Sequence, residues 1–227
     1  FIISLPKPEG YCGTSELFPD ITSLPDLEII EPNIHIHLVD EFDHHDIITG
    51  DSDVYNDLIP NSLKDAFFHF ILSGIVKLDR NMINLNHTFL VHVHHEINTH
   101  ILVYKKFNSF FDIFKDSFQS GSMNNLAIKE NHKRFEQYWE KVKHEFHVEN
   151  VSFESLKDKV SSYLDKIEII MVNSESENTL EFNDDKNKND KQFIIIGGNR
   201  LSRGLTIEGL TVTFFTRASK FYDTFLQ

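Results

Sequence analysis

A glycine-rich polar segment near the end of the chain has the residue types of a phosphate-binding loop. Gly197 and Gly198 follow a run of strand-forming residues, and Arg200, Arg203 and Gly204 lie within the next six residues. Glycines permit sharp turns and let backbone N–H groups approach a ligand closely, while arginines make charge-assisted hydrogen bonds to phosphate oxygens. The segment therefore predicts a contact with phosphate groups. The alternative is a plain turn that carries surface charges.

Two strand-forming runs flank this segment and must position it. Residues 193–196 are apolar on both faces, which indicates a buried parallel strand, and residues 210–216 indicate a second strand. We expect the two strands to be neighbours, with residues 197–209 at their carboxyl edge, where open α/β sheets bind ligands. The residues expected to contact nucleic acid or nucleotide are Gly197, Gly198, Asn199, Arg200, Ser202, Arg203, Gly204 and Thr206.

The same segment resembles two known patterns. Residues 201–206, Leu-Ser-Arg-Gly-Leu-Thr, resemble motif V of superfamily II helicases. Residues 197–210 and 219–227 resemble more closely the Z1 domain, a family described as a candidate endonuclease domain and found beside such helicase modules in bacterial proteins. Only Arg203 and Gly204 match both patterns, because Thr206 stands at the position of the helicase aspartate.

The resemblance implies the second RecA-like domain of an ATP-dependent, DNA-acting protein of restriction, repair or defence. Its expected partners are DNA and the first RecA-like domain of the same parent chain, its expected cofactors in the full-length protein are ATP and Mg²⁺, and its expected location is the cytoplasm. No Walker A sequence, G-x-x-x-x-G-K-[ST], occurs in the 227 residues, so we expect no ATP hydrolysis by this piece alone and assign no catalytic residue. Two alternatives stay open: a non-catalytic binding module on the same fold, and a metal-dependent endonuclease.

Histidines gather where a predicted strand at residues 88–94 gives way to a helix. His92 and His94 would share one face of that strand, and with His95 they are the candidate metal ligands. The alternative is that these imidazoles, together with His100, bond to the backbone or to a carboxylate such as that of Glu96, or contact substrate. The other candidate metal ligands of a nuclease lie in an acidic segment and are Glu31, Asp40, Glu41 and Asp43 with His44 and His45. The alternative is that this segment is an acidic surface loop, as such runs usually are.

The order of strands and helices predicts an α/β fold, RecA-like, with a mostly parallel sheet and helices on both faces. Residues 1–60 are expected to form an irregular, β-containing N-terminal extension, and residues 61–227 the RecA-like domain, truncated before helicase motif VI. Within it we expect a helix opened by an Asn61 or Ser62 cap, a helical insert at about 120–165 and a mobile loop at about 173–191, which is rich in Ser, Asn, Asp and Lys.

The composition of the chain excludes some further classes of protein. The net charge of −13 argues against broad, non-specific affinity for DNA, although a local basic groove is compatible with it. A single cysteine, Cys12, excludes an intramolecular disulfide and a cysteine-rich zinc site. No apolar run approaches the roughly 20 residues that a membrane helix needs.

Overall fold

The computed structural model describes residues 37, 39, 43, 47, 59–81, 86–94, 96–119, 126–172, 192–198 and 207–216. The chain divides into two compact units, Phe1–Asp40 and Glu41–Gln227, and every helix and strand given below belongs to the second. The predicted mobile loop at 173–191 lies outside the described residues, and the predicted domain boundary near residue 60 stays a prediction.

Four helices and four strands make up the described part of the second unit. In chain order they are α1 (Asn61–Asp79), β1 (His87–His92), α2 (Ile97–Gln119), α3 (Leu126–Val142), α4 (Phe153–Leu164), β2 (Ile167–Val172), β3 (Gln192–Gly197) and β4 (Leu210–Phe215). The strands form one sheet in the order β2-β3-β1-β4, and every pair is parallel. A parallel sheet flanked by helices confirms the predicted α/β class and is consistent with a RecA-like fold.

The expected pairing of β3 with β4 is wrong, because β1 lies between them. Strands β1 and β3 are buried at every residue, whereas Thr211 and Thr213 of β4 are exposed. Burial of apolar side chains stabilises a strand most in the centre of a sheet, where both of its faces are covered. A strand with alternating threonines suits the edge. Burial on both faces therefore decides the order of the strands, and nearness along the chain does not.

Phenylalanines join the helices to the sheet. The ring of Phe67 in α1 contacts four rings of α2, with centroids 5.3–6.1 Å apart, and these belong to Phe107, Phe110, Phe111 and Phe114. Phe89 of β1 touches Phe70 of α1 at 5.7 Å and Phe107 of α2 at 6.4 Å, so both helices cover the same face of the sheet. Helices α3 and α4 complete this layer by packing on α1 and α2.

The first turn of α1 is capped from a distance. The expectation that Asn61 or Ser62 is the N-cap residue is wrong. The N-cap is Pro60, which offers no side-chain hydrogen bond. Instead the backbone N–H of Ser62 donates to Oδ2 of Asp43 at 3.0 Å. A carboxylate at a helix N-terminus satisfies a donor that the helix itself leaves open.

None of the helices in the described residues combines the length and the apolar character that crossing a membrane requires.

Candidate functional site at the carboxyl edge of the sheet

Three chain segments meet where the central strands end. Strand β1 ends at His92, β3 ends at Gly197, and α2 begins at Ile97, only five residues after β1. Because β1 and β3 are parallel neighbours, their carboxyl ends lie side by side at one edge of the sheet. That edge also receives the N-terminus of α2, whose partial positive charge favours an anion.

Gly198 and His100 are in direct contact at this edge. A Cβ atom on Gly198 would overlap Cε1 and Nε2 of the imidazole of His100 and would stand 3.4 Å from its Nδ1. No side chain larger than hydrogen fits at position 198 unless the ring moves. The glycine that the sequence assigns to a ligand contact therefore also lets α2 approach the end of β3.

The buried imidazole of His100 has one ring nitrogen bonded and one open. Its Nε2 lies 2.7 Å from the carbonyl oxygen of His94, and because a carbonyl only accepts, Nε2 donates. In the neutral ring Nδ1 is then the acceptor, and it has no hydrogen-bond partner among the described residues. The residue is 2% exposed, so this nitrogen is not completed by bulk solvent.

The two histidines predicted as a metal pair lie in different settings. His92 is the last residue of β1, and its ring stands edge-on to Phe215 at 5.1 Å. His94 lies beyond the end of the strand, where its Nδ1 accepts from the backbone N–H of Glu96 at 3.2 Å. The expectation that they share a strand face is therefore wrong, because β1 ends two residues earlier than predicted. His95 is outside the described residues.

Metal ligands do not cluster in the part of the chain that the structure describes. No group of three or more histidine, cysteine, aspartate or glutamate side chains there could hold a metal ion. The bonds of His94 and His100 to backbone groups match the alternative expectation for these imidazoles.

Of the predicted loop residues, Gly197 and Gly198 are described and the others are not. The contact roles of Asn199, Arg200, Ser202, Arg203, Gly204 and Thr206 stay predictions. The far end of the loop is described, and it lies at the opposite edge of the sheet. Gly209 accepts from the backbone N–H of Thr88 at 2.8 Å, next to the start of β1. The expectation that residues 197–209 lie wholly at the carboxyl edge is therefore wrong.

The residues before Gly209 attach to the sheet. Ile207 packs on an apolar cluster formed by Leu90, Val172, Phe193 and Ile195, on the sheet face opposite to the one that bears Phe89. The backbone oxygen of Glu208 accepts from Oγ1 of Thr88 at 2.7 Å, and its carboxylate accepts from Nδ2 of Asn86 at 2.9 Å. Of the described residues of this loop, only Gly197 and Gly198 lie at the carboxyl edge.

A separate polar network lies buried at the amino edge. Nδ1 of His87 lies 2.5 Å from the hydroxyl of Tyr163, which donates to Oε1 of Gln192 at 2.9 Å. Nε2 of His87 lies 3.3 Å from Oγ of Ser73. Burial, and then the nearby charges of Lys77 and His69, lower the pKa of His87 to about 3. This network joins α1, α4, β1 and β3 at the amino edge of the sheet, where it ties two helices to the two central strands.

Sequence reasoning missed the network because nothing local in the sequence links its members. His87 stands at the head of an apolar run, and its partners are 14 and 76 residues away along the chain. The one available signal is polar residues at the start of two buried strands, His87 and Gln192. Such residues need buried partners.

A comparison with family models finds one match, to the Z1 domain, over residues 62–227. The match covers the whole described sheet, all four helices from their first turn, and the glycine-rich segment. Searches of the curated proteins and of the solved structures give no significant match.

Proposed function

The chain belongs to the Z1 domain family, and from this premise we propose that the carboxyl edge of its sheet binds the phosphate backbone of DNA. The contacts are made by the segment that leaves β3, with Arg203 and Gly204 facing phosphate oxygens and Gly197 and Gly198 shaping the turn. Arg200, Asn199, Ser202 and Thr206 complete the contact surface. Arginine and exposed backbone N–H groups are the donors that phosphate requires.

One observation carries this proposal. The glycine-rich segment leaves the carboxyl end of β3, a central and fully buried parallel strand. Parallel α/β sheets bind ligands outside the carboxyl ends of such strands. The N-terminus of α2 at the same edge adds a second group of backbone donors that favour negative charge.

The charge balance limits the kind of binding. With a net charge of −13, the chain as a whole repels a polyanion, so its attraction to DNA must come from a local basic surface. Arg200, Arg203, Arg217 and Lys220 lie within 21 residues of one another in the sequence and supply that charge. We expect a small number of phosphate contacts and a correspondingly shallow dependence of affinity on salt.

In the full-length protein we propose that this domain pairs with a first RecA-like domain, which would supply the Walker A loop for ATP and Mg²⁺. The motif V resemblance of residues 201–206 supports this arrangement. An endonuclease with its own metal centre is the second candidate, supported by the description of the Z1 family. The described residues favour it less, because they offer no group of three metal ligands.

Arg203→Ala is the direct test of the proposed contact. In the full-length protein we expect weaker binding to single- and double-stranded DNA whatever the sequence, and a salt slope smaller by about 1, because one phosphate contact is lost. Folding stability should change by less than about 0.5 kcal/mol, as for exposed sites in general. Affinity is measured by fluorescence anisotropy over a salt series, and stability by urea unfolding.

Arg80→Ala is the matched control. Arg80 is exposed at the C-terminal end of α1, whose last turn lies by the start of β1 because Nζ of Lys77 donates to the backbone oxygen of Asn86. The same charge is thus removed at the other edge of the sheet. We expect DNA binding to stay unchanged in this variant. Equal losses in the two variants, or a normal salt slope in Arg203→Ala, would contradict the proposal.

A further inference from the structure

A series of contacts links the turn between β1 and α2 to the start of the glycine-rich segment. Within that turn, Nδ1 of His94 accepts from the backbone N–H of Glu96 at 3.2 Å. The carbonyl oxygen of His94 accepts from Nε2 of His100 at 2.7 Å, and the ring of His100 lies against Gly198. The ring therefore connects the β1–α2 turn to the first residue after β3.

The ring of His100 is held in place on several sides. The residue is 2% exposed, and Gly198 beside it is buried as well. Side chains in a close-packed interior keep one arrangement on the time average. The hydrogen bond to His94 also fixes which way the ring points, because a rotated ring would lose it. The imidazole thus forms a fixed surface beside the backbone of Gly198.

Two consecutive glycines would by themselves leave the exit of the chain from β3 poorly defined. Glycine adopts more backbone conformations than any other residue, and Gly197 and Gly198 stand in a row. The ring removes part of this freedom, since it occupies the volume 2.2 Å from where a Cβ of Gly198 would stand. Arg200 and Arg203 follow two and five residues later, and the chain extends by at most about 3.6 Å per residue. The direction taken at Gly198 therefore limits where both arginines can reach.

We propose that His100 is a positioning residue for the phosphate contact of Arg203. Its ring, held by the carbonyl of His94, sets the direction in which the chain leaves β3, and it acts on the contact through Gly198 without touching DNA itself. This inference rests on the proposed function, because it assumes the Arg203 contact. An arginine on a preorganised segment loses less conformational entropy on binding than one on a freely moving segment. Removal of the ring therefore weakens a contact that another residue makes.

The test is a double-mutant cycle on the full-length protein, measured by fluorescence anisotropy over a salt series. For His100→Ala we expect about tenfold weaker binding to DNA and a salt slope smaller by about 1, as for the loss of one charge-assisted phosphate contact in Arg203→Ala. The double variant should bind no more weakly than either single variant, because both changes remove the same contact. His100→Gln should restore most of the affinity, since its amide keeps an N–H group for the carbonyl of His94.

His132→Ala is the matched control. His132 is also a buried imidazole, 8% exposed and stacked on Phe118 at 4.9 Å, but it lies in α3 within the helical layer. This variant should lose stability while its DNA affinity and salt slope stay unchanged. All affinities are measured where urea unfolding shows the variant to be folded. If His100→Ala does not fold, the smaller deletion His100→Asn, whose side chain is too short to reach the carbonyl of His94, takes its place in the cycle.

A measurement without DNA tests the action of the ring on the glycine directly. The ¹H–¹⁵N heteronuclear NOE of the Gly198 amide reports its motion on the picosecond-to-nanosecond timescale. It should fall in His100→Ala, because the ring no longer restricts the backbone there. It should keep the value of the unaltered protein in His100→Gln and in His132→Ala.

The outcomes separate this inference from the proposed function. Normal DNA affinity in His100→Ala, additive losses in the double variant, equal losses in His100→Ala and His132→Ala, or an unchanged NOE at Gly198 each overturn the positioning role. If Arg203→Ala alone still weakens binding in those cases, the phosphate contact stands. If Arg203→Ala binds DNA as the unaltered protein does, the proposed contact fails, and the positioning role of His100 toward it fails with it.

Discussion

At the scale of single residues, position 198 couples the proposed ligand loop to α2. The space beside the Cα of Gly198 is occupied by the ring of His100, and that ring is held by the carbonyl of His94. A substitution at either residue therefore alters the packing of the other. This contact also explains why the glycine is needed even without a ligand, so the loss of function in a Gly198 variant is not by itself evidence for a phosphate contact.

Gly198→Ala is expected to destabilise the protein by about 1–3 kcal/mol, the usual range for an overpacked site, because the new Cβ overlaps the imidazole. Urea unfolding measures the effect. The double variant Gly198→Ala with His100→Ala should lose less stability than the sum of the two single variants, since removal of the ring makes room for the methyl group. Additive losses would mean that the ring and the glycine do not constrain each other.

At the scale of elements, the segment from Ile207 to Gly209 fixes where β4 joins the sheet. Gly209 has a positive φ of 67°, and a Cβ there would overlap the backbone oxygen of Asn86. That oxygen also accepts from Nζ of Lys77 at 2.8 Å, which ties it to the last turn of α1. The obstruction at position 209 is therefore main chain that is itself held, whereas at position 198 it is a side chain.

Gly209→Ala should accordingly cost more stability than Gly198→Ala. The left-handed backbone alone disfavours alanine by about 1–2 kcal/mol, and the overlap with the Asn86 carbonyl adds to it. We expect the pairing of β1 with β4 to weaken, seen as faster amide exchange at Thr88, whose N–H donates to Gly209. Faster exchange in β2 and β3 without a change at Thr88 would contradict this account.

At the scale of the whole molecule, the buried network around His87 makes stability depend on pH. Burial lowers the pKa of His87 from 6.5 to about 3, so the folded protein takes up this proton less readily than the unfolded chain does. Between about pH 6.5 and pH 3 the unfolded state binds more protons, and stability falls as the pH falls. The contribution of this one group reaches at most about 1.4 kcal/mol per pH unit.

His87→Gln should flatten that dependence, because glutamine keeps polar atoms in the network without titrating. The free energy of unfolding in urea, measured at several pH values from 7 to 4, gives the slope for each variant. His144→Gln, which removes an imidazole from an exposed position, is the control and should keep the slope of the unaltered protein. An unchanged slope in His87→Gln would show that other groups carry the pH dependence.

The sequence by itself determined the elements and their class. The run at residues 193–196, apolar on both faces, predicted β3, and the glycines after it predicted a turn at a carboxyl edge, because both signals are local. The motif resemblance of residues 197–227 agreed with the family match over residues 62–227.

Only the tertiary structure decided which elements are neighbours and which side chains meet. β1 separates β3 from β4, Asp43 caps α1 from 19 residues away, and Tyr163 reaches His87 across 76 residues. It also set Gly198 against His100 and left Nδ1 of that ring without a partner in the described part of the chain. Packing between distant segments produces these contacts, and no spacing along the chain encodes them, because burial on both faces and mutual fit are properties of the assembled sheet.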